Sequence, residues 1–175
     1  MRTCLLVTIT CPDRPGVVER ITQAVVRHSA NWEDSRMARL GGDFAGIVKI
    51  SVAEEHAEAL IAALRALADP RTSVLVKTVG AGADTAPQEH GLWDLRLTGA
   101  DHEGIVHEVA AYLAGRGINV ESMETTIVPA PVSGSPLFHM EALIKVPANQ
   151  SLDELRDDLT RIGEAQGVDV EVVPH

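Results

Sequence analysis

The first half of the chain changes its hydrophobic period several times. Residues 3–10 alternate and are rich in β-branched side chains, which is typical of a strand. Downstream, apolar residues recur with the spacing of a helix face, as at Val17, Val18, Ile21, Ala24, Val25 and His28. The pattern predicts strand 3–10, helix 16–29, strands 31–40 and 43–52 joined at Gly41–Gly42, helix 55–68 ending at Asp69–Pro70, and strand 72–79.

The second half repeats this order. The pattern predicts strand 92–98, helix 104–116, strands 118–128 and 137–146, helix 151–162, and strand 168–173. The first of these helices should bury Ile105, Val106, Val109, Ala110 and Leu113. Gly117 suits the end of that helix and Ser151 the start of the last one. The Pro-rich segment 129–136 replaces the tight hairpin of the first half.

The two halves are copies. Residues 10–36 and 98–124 align without a gap, 88 positions apart in a chain of 175 residues. Identical pairs include Thr10/Thr98, Asp13/Asp101, Gly16/Gly104, Val18/Val106, Asn31/Asn119 and Glu33/Glu121. A period this long indicates two tandem domains and not a solenoid. We expect domain 1 over residues 1–79, a linker over 80–91 and domain 2 over 92–175.

Each half therefore has the order βαββαβ, which is the ferredoxin-like arrangement. The expected fold class is α+β, with two antiparallel sheets that each carry both helices on one face. Domains of this size have marginal cores and exposed sheet edges, so we expect each copy to pack against the other or against a second chain. The edges could also join into a continuous eight-stranded sheet, and we expect a homodimer.

Composition narrows the class of partner. The net charge is −10 and only 3% of residues are aromatic, which argues against direct binding of nucleic acid. No apolar run approaches the length of a membrane span, and Leu5–Val7 is too short for a signal peptide. Cys4 and Cys11, if both lie in one strand, are about 20 Å apart, too far for a disulfide. We therefore expect a cytoplasmic protein that contacts no membrane.

Few catalytic or metal-binding motifs are present. The sequence has no dinucleotide-binding or phosphate-binding glycine loop and no nucleophile elbow. His102 and His107 are five residues apart and do not share a helix face as metal-binding histidines do. We expect no catalytic residue, no metal and no cofactor.

The strand-to-helix turn of each copy is the candidate binding site. A helix N-terminus attracts a carboxylate, and Gly16 and Gly104 leave the backbone open to a ligand. Asp13 and Asp101 could meet an ammonium group, or could serve only as helix caps. Asn31 and Asn119 offer a donor and an acceptor, or could satisfy only local backbone. Arg14 becomes His102 in the second copy, so the first turn is the better anion site.

The turn Asp-Arg-Pro-Gly-Val-Val and the later Asn-Trp-Glu-Asp-Ser-Arg-Met-Ala resemble the ACT-domain family. The family consists of small βαββαβ modules that bind amino acids and regulate enzymes or transcription. Together with Gly-Gly-Asp-Phe at 41–44, these motifs resemble the glycine-cleavage-system transcriptional repressor group, which has two tandem ACT domains. The Pro-rich loop at 129–136 is also similar to that group.

The resemblance implies that ligands sit where the first turn meets the second strand, often of a neighbouring domain. It points to these ligand-binding positions: Asp13, Arg14, Gly16, Val17 and Asn31 in the first copy, and Asp101, His102, Gly104, Ile105 and Asn119 in the second. It implies a non-catalytic regulator that binds an amino acid, with glycine and serine as candidates, and acts through a regulatory protein partner.

Three alternatives stay open at this point. The chain could be a protein-interaction module that binds no ligand. It could be an acylphosphatase-like enzyme on the same fold, with Arg14 and Asn31 as the catalytic pair, although the glycine-rich phosphate loop is missing. The Asp-Arg-Pro-Gly turn is also similar to the amino-terminal ACT module of formyltetrahydrofolate deformylase.

Overall fold

The computed structural model describes residues 1–80 and 90–175. Contacts divide the chain into two units, Met1–Thr85 and Ala86–His175, here called unit 1 and unit 2. Most of the predicted linker, residues 80–91, lies outside the described residues, and the first strand of unit 2 begins at His90.

Unit 1 is one four-stranded antiparallel sheet with two helices. Its elements are β1 (Arg2–Pro12), α1 (Val17–Arg27), β2 (Asn31–Leu40), β3 (Asp43–Ala53), α2 (Glu54–Arg65) and β4 (Ser73–Val79). The strand order is β2-β3-β1-β4, so the two central strands pair with each other and with one edge strand each. The predicted Gly41–Gly42 hairpin joins β2 to β3, with Leu40 opposite Asp43.

The core of unit 1 lies between the sheet and its helices. Every second residue of β1 is buried, and α1 and α2 cover that face of the sheet with one apolar stripe each. The buried side chains of β1 and the helices are Leu5, Val7, Ile9, Cys11, Val17, Ile21, Ala24, Val25, Ala57, Leu60, Ile61 and Leu64. Val18, predicted on the buried face, is 40% exposed because it follows Val17 by about 100° and points away from the sheet. Cys4 and Cys11 both lie in β1 as free thiols, as predicted.

Unit 2 has the same order. Its elements are β5 (His90–Ala100), α3 (Ile105–Gly115), β6 (Asn119–Pro129), β7 (Pro136–Pro147), α4 (Leu152–Gln166) and β8 (Val168–Pro174), with strand order β6-β7-β5-β8. The predicted cap at Ser151 is confirmed, since its hydroxyl accepts a hydrogen bond from the N–H of Glu154. Ala110, predicted to be buried, is exposed on the outer side of α3.

The two tandem ferredoxin-like units confirm the predicted α+β class. Element boundaries shift by a few residues, and the largest shift is at α4, which runs on to Gln166 beyond the expected end at 162. Gly163 is buried there, and a Cβ on it would lie 2.4 Å from Val170 Cγ2. A glycine inside α4 therefore allows close packing on β8 and does not end the helix.

Candidate functional site

Both helix-opening turns begin with a glycine in the left-handed region. Gly16 has φ of 91° and Gly104 has φ of 99°, a conformation that side chains with a Cβ adopt only at a cost. Each glycine is the N-cap residue of its helix, and neither helix start receives a side-chain hydrogen bond. Helix capping by Asp13 and Asp101, one of the two alternatives that the sequence leaves open, is therefore not observed, because the N-cap position falls three residues later on a glycine.

Asp13 contacts the neighbouring hairpin. Its carboxylate oxygen Oδ2 lies 2.9 Å from Nε of Arg39 on β2, and its backbone N–H donates to the carbonyl of Gly42 at 3.1 Å. The turn of unit 1 is thus attached to the end of the β2–β3 hairpin. The corresponding N–H of Asp101 donates to the carbonyl of Pro136 at 3.2 Å.

Arg14 reaches across the turn to the connection between α2 and β4. Its Nη2 lies 3.6 Å from Oδ2 of Asp69. Asp69 also accepts hydrogen bonds from the N–H of Arg71 at 2.8 Å and the hydroxyl of Thr72 at 3.1 Å. The hydrogen bond from Arg71, aided by Thr72 and the Arg14 charge, holds the pKa of Asp69 below its usual value.

A small cleft opens beside Arg14. It is lined by Ile9, Cys11, Arg14, Val17, Arg20, Ile21, Leu67 and Thr72. Two arginines, Arg14 and Arg20, are therefore among the residues that line a largely apolar hollow next to the first turn of α1. Cys11 is buried in the wall of this cleft, and its burial raises the pKa of its thiol.

The turn of unit 2 is held differently. The Nδ1 atom of His102 lies 2.9 Å from the carbonyl oxygen of Glu103, and its Nε2 atom lies 2.6 Å from that of Gln166 at the end of α4. A carbonyl can only accept, so an imidazole that makes both bonds is doubly protonated. These two bonds raise the pKa of His102 above its usual value.

Close packing accompanies this contact. Gly99 of unit 2 occupies the position of Cys11 in unit 1. A Cβ on Gly99 would lie 2.6 Å from Cα of Val168 and 2.7 Å from the carbonyl oxygen of Gly167. In unit 2 the chain after α4 thus approaches the turn where unit 1 has a cysteine side chain and a cleft.

The asparagines do not join the turns of their own units. Asn31 pairs with Ser51 and lies level with Cys4, whereas Asp13 follows the far end of β1. The separation is about 30 Å at ~3.3 Å per residue. Asn119 is likewise level with Leu92 across β7, and its amide donates to Glu121 Oε1 at 2.7 Å. The acylphosphatase-like pairing of Arg14 with Asn31 is therefore not formed within unit 1.

The structure places the remaining predicted site residues as follows. Val17 is buried and lines the cleft, and Ile105 is 2% exposed in the core of unit 2. The sequence did not indicate Arg20, Leu67, Asp69 or Thr72. The βαββαβ order could have indicated that these residues lie near Arg14, since both the β1–α1 turn and the α2–β4 connection lie at one end of the sheet.

Metal binding and membrane insertion are two other function classes on which the structure bears. Among residues 1–80 and 90–175, no group of three or more His, Cys, Asp or Glu side chains is arranged to hold a metal ion. Over the same residues, no helix is long and apolar enough to cross a membrane.

Comparison with known proteins gives concordant matches. Residues 3–73 match the ACT domain family. The glycine cleavage system transcriptional repressor of Escherichia coli is 26% identical over 146 residues, which cover 83% of this chain and 76% of the repressor. A UPF0237 protein of Methanopyrus kandleri is 36% identical over 80 residues, covering 45% of this chain and 81% of that protein.

A solved structure matches both units. The crystal structure of an unknown protein from Galdieria sulphuraria has a TM-score of 0.87 and 32% identity, covering 100% of this chain and 99% of that one. The duplicated βαββαβ units and these matches show that the chain belongs to the ACT-domain family, as a tandem protein related to the glycine cleavage system transcriptional repressor.

Proposed function

We propose that unit 1 binds a free amino acid in the cleft beside Arg14, and that this binding regulates a protein partner. The observation that carries the proposal is the cleft itself, which places Arg14 and Arg20 beside an uncapped helix start and an apolar hollow. A carboxylate at a helix N-terminus next to a guanidinium gains charge-assisted hydrogen bonds and a favourable dipole.

Arg14 can turn toward such a ligand at little cost. Its side chain is 51% exposed and that of Asp69 is 40% exposed, and exposed ion pairs of this kind contribute little to stability. When the ligand carboxylate takes Arg14, the ion pair with Asp69 breaks, and the Asp69 carboxylate, which lies next to the lining residues Arg14 and Thr72, can receive the ligand ammonium group. Arg14 and Asp69 therefore offer one charged partner for each end of an amino acid.

The ligand is a small amino acid. The cleft is small, with about 10 Å³ of space, and its wall is made of Ile9, Val17, Ile21 and Leu67. This space holds about one water molecule, so it favours the smallest amino acids, and an aromatic side chain would need the wall to move. Glycine and serine are among the smallest, and they also agree with the relation to the glycine cleavage system repressor.

Regulation requires that binding differ between two states of the protein. A ligand shifts a conformational equilibrium only by its difference in affinity for the two states. The turn is attached to the β2–β3 hairpin through Asp13 and to the α2–β4 connection through Arg14, so occupancy alters the surface that both segments present. With a net charge of −10, the chain acts on a protein and leaves any contact with DNA to that protein.

The test is a thermal-shift screen of the full chain against the twenty amino acids, followed by calorimetry. A ligand that binds only the folded protein raises the melting temperature with its concentration. We expect glycine or serine to do so, and Arg14→Gln and Arg20→Gln to abolish the shift.

Arg27→Gln is the matched control, because Arg27 lies in the last turn of α1 and does not line the cleft. His102→Gln should also retain the shift, since the site is in unit 1. No shift with any amino acid at millimolar concentration would overturn the proposal, and so would a shift that Arg14→Gln leaves intact.

A further inference from the structure

Each sheet is covered by its helices on one face only, and the other face is open within the unit. Cross-strand register identifies the side chains that share the open face, since paired residues point the same way. In unit 1 two adjacent rows across the sheet are Arg36, Ile47, Thr8, Leu75 and Asp34, Lys49, Leu6, Lys77. In unit 2 the equivalent rows are Glu124, Glu141, Arg96, Glu171 and Ser122, Leu143, Asp94, Val173.

The open face of unit 1 is apolar and basic. Ile47, on the central strand β3, is 47% exposed, and Leu75, on the same row at the edge strand β4, is 68% exposed. Lys49 lies 3.8 Å from Glu33 and Arg36 lies 3.7 Å from Asp34, both on the same surface. Lys77 makes no ion pair with any of the residues that the structure describes.

The open face of unit 2 is acidic. Arg96 lies between two glutamates, at 4.0 Å from Glu141 and 3.6 Å from Glu171. Glu124 stands directly opposite Glu141 on the adjacent strand, an arrangement of like charges that destabilises a sheet. Within residues 1–80 and 90–175, Glu124 has no cationic partner.

A recess in this acidic face is suited to a cationic side chain. It is lined by Asp94, Leu95, Arg96, Ser122, Glu124, Glu141, Ala142, Leu143 and His175. A lysine or arginine entering it from outside would relieve the repulsion between Glu124 and Glu141. The single arginine of this face already shares its charge between Glu141 and Glu171.

The equivalent rows of the two units thus carry opposite chemistry. Arg36 of unit 1 corresponds to Glu124 of unit 2, and Ile47 and Leu75 correspond to Glu141 and Glu171. Two unit 2 faces would repel each other, and two unit 1 faces would bring lysines together. A unit 1 face and a unit 2 face present opposite charges, and a chain with one of each is complementary to a second copy of itself.

We propose that the open face of unit 1 docks on the open face of unit 2 of a second copy of the chain. Two such contacts, related by a twofold axis, close a symmetric dimer in which each copy supplies one basic and one acidic face. The exposed Leu75 and Ile47 become buried in the contact, and Lys77, which makes no ion pair with the described residues, supplies the positive charge that Glu124 lacks.

Charge reversal tests the proposal. The oligomeric state of the full chain is measured by sedimentation equilibrium for the natural protein, Lys77→Glu and Glu124→Lys. We expect the natural protein to be a dimer and each variant to dimerise about tenfold more weakly, or worse. Glu124→Lys replaces a like-charge pair with an opposite-charge pair inside the sheet, so a loss of dimer does not reflect a weakened fold.

Mixing the two variants gives the sharper result. A mixed dimer has one contact in which positions 77 and 124 both carry reversed charges, and one contact that is natural. Dimerisation should therefore return toward the natural strength. Arg65→Glu is the control, because Arg65 lies in the last turn of α2 on the helical side of unit 1.

The outcomes decide the proposal. The proposal is overturned if the natural protein is monomeric across the micromolar range, or if the variants dimerise as well as the natural protein. It is also overturned if the mixture of the two variants dimerises no more strongly than either variant alone. A natural monomer that binds a different basic protein through Glu124 would assign the acidic face to that partner and would also overturn it.

Discussion

Unit 1 and unit 2 fasten the same turn to the connection that follows the second helix, but with different groups. In unit 1 two side chains meet, the guanidinium of Arg14 and the carboxylate of Asp69. In unit 2 one side chain, His102, bonds the backbone carbonyls of Glu103 and Gln166. The first contact is a pair of permanent charges at neutral pH, and the second depends on the protonation of an imidazole.

The difference follows from the length of the second helix. Helix α2 has 12 residues and is followed by a loop that contains Asp69, whereas α4 has 15 residues and leads almost directly into β8. The longer helix brings its terminal carbonyls to the turn, where the dipole favours a cation. The copy that keeps a loop also keeps a cleft beside its turn, whereas the turn of the other copy is bonded to backbone carbonyls.

The largest expected effect concerns Gly99, at the position of Cys11. Gly99→Ala places a Cβ within 2.7 Å of the Gly167 carbonyl and the Val168 backbone, so β8 or the turn must shift. Overpacking of this kind costs about 1–3 kcal/mol in the free energy of unfolding. Urea denaturation of the full chain measures it. Gly115→Ala is the matched control, because a Cβ on Gly115 would have no atom within 4 Å. If Gly99→Ala lowered the free energy of unfolding no more than Gly115→Ala does, the close packing at Gly99 would not be important for stability.

A smaller effect, of the same size in both units, is expected at Gly16 and Gly104, which have the same backbone conformation. Gly16→Ala and Gly104→Ala should each lower the free energy of unfolding by about 1–2 kcal/mol, because both residues have positive φ. Neither new Cβ meets an atom within 4 Å, so the cost is backbone strain alone. Denaturation of both variants under one set of conditions tests the symmetry. A large cost at only one of them would show that the turns differ in backbone as well as in side chain.

The smallest expected effect is a difference in pH dependence between the Arg14–Asp69 ion pair and the hydrogen bonds of His102. The pKa of His102 is raised in the folded state above 6.5, so its stabilising contribution is fully present below that pH and is lost as pH rises through the folded value. His102→Ala should therefore lower the melting temperature in mildly acidic buffer and have little effect in alkaline buffer. Arg14→Ala should have the same effect at both pH values, because the lowered pKa of Asp69 keeps its carboxylate charged throughout this range. Parallel pH curves for the two variants would refute the distinction.

The exposed valine and alanine show where pattern reasoning from sequence fails. Val18 and Ala110 match the helical period of buried residues, but each lies at the edge of its stripe and faces away from the sheet. The hydrophobic period indicates on which side of its helix a residue lies, and the packing of neighbouring elements decides whether that side is covered. Helix capping by Asp13 is also not observed, since the N-cap residue is Gly16 and the Asp13 carboxylate pairs with Arg39.

The sequence by itself determined the duplication, the order of strands and helices, the Gly41–Gly42 hairpin and the family, because each rests on local periods and on residues that are neighbours along the chain. Only the tertiary structure decided that Asn31 lies far from the turn of its own unit, that Arg14 meets Asp69, and that Gln166 reaches His102. These relations depend on strand direction and on how far a helix extends before the chain returns to the sheet. Such distances arise from packing across the whole unit, and no local pattern of residues records them.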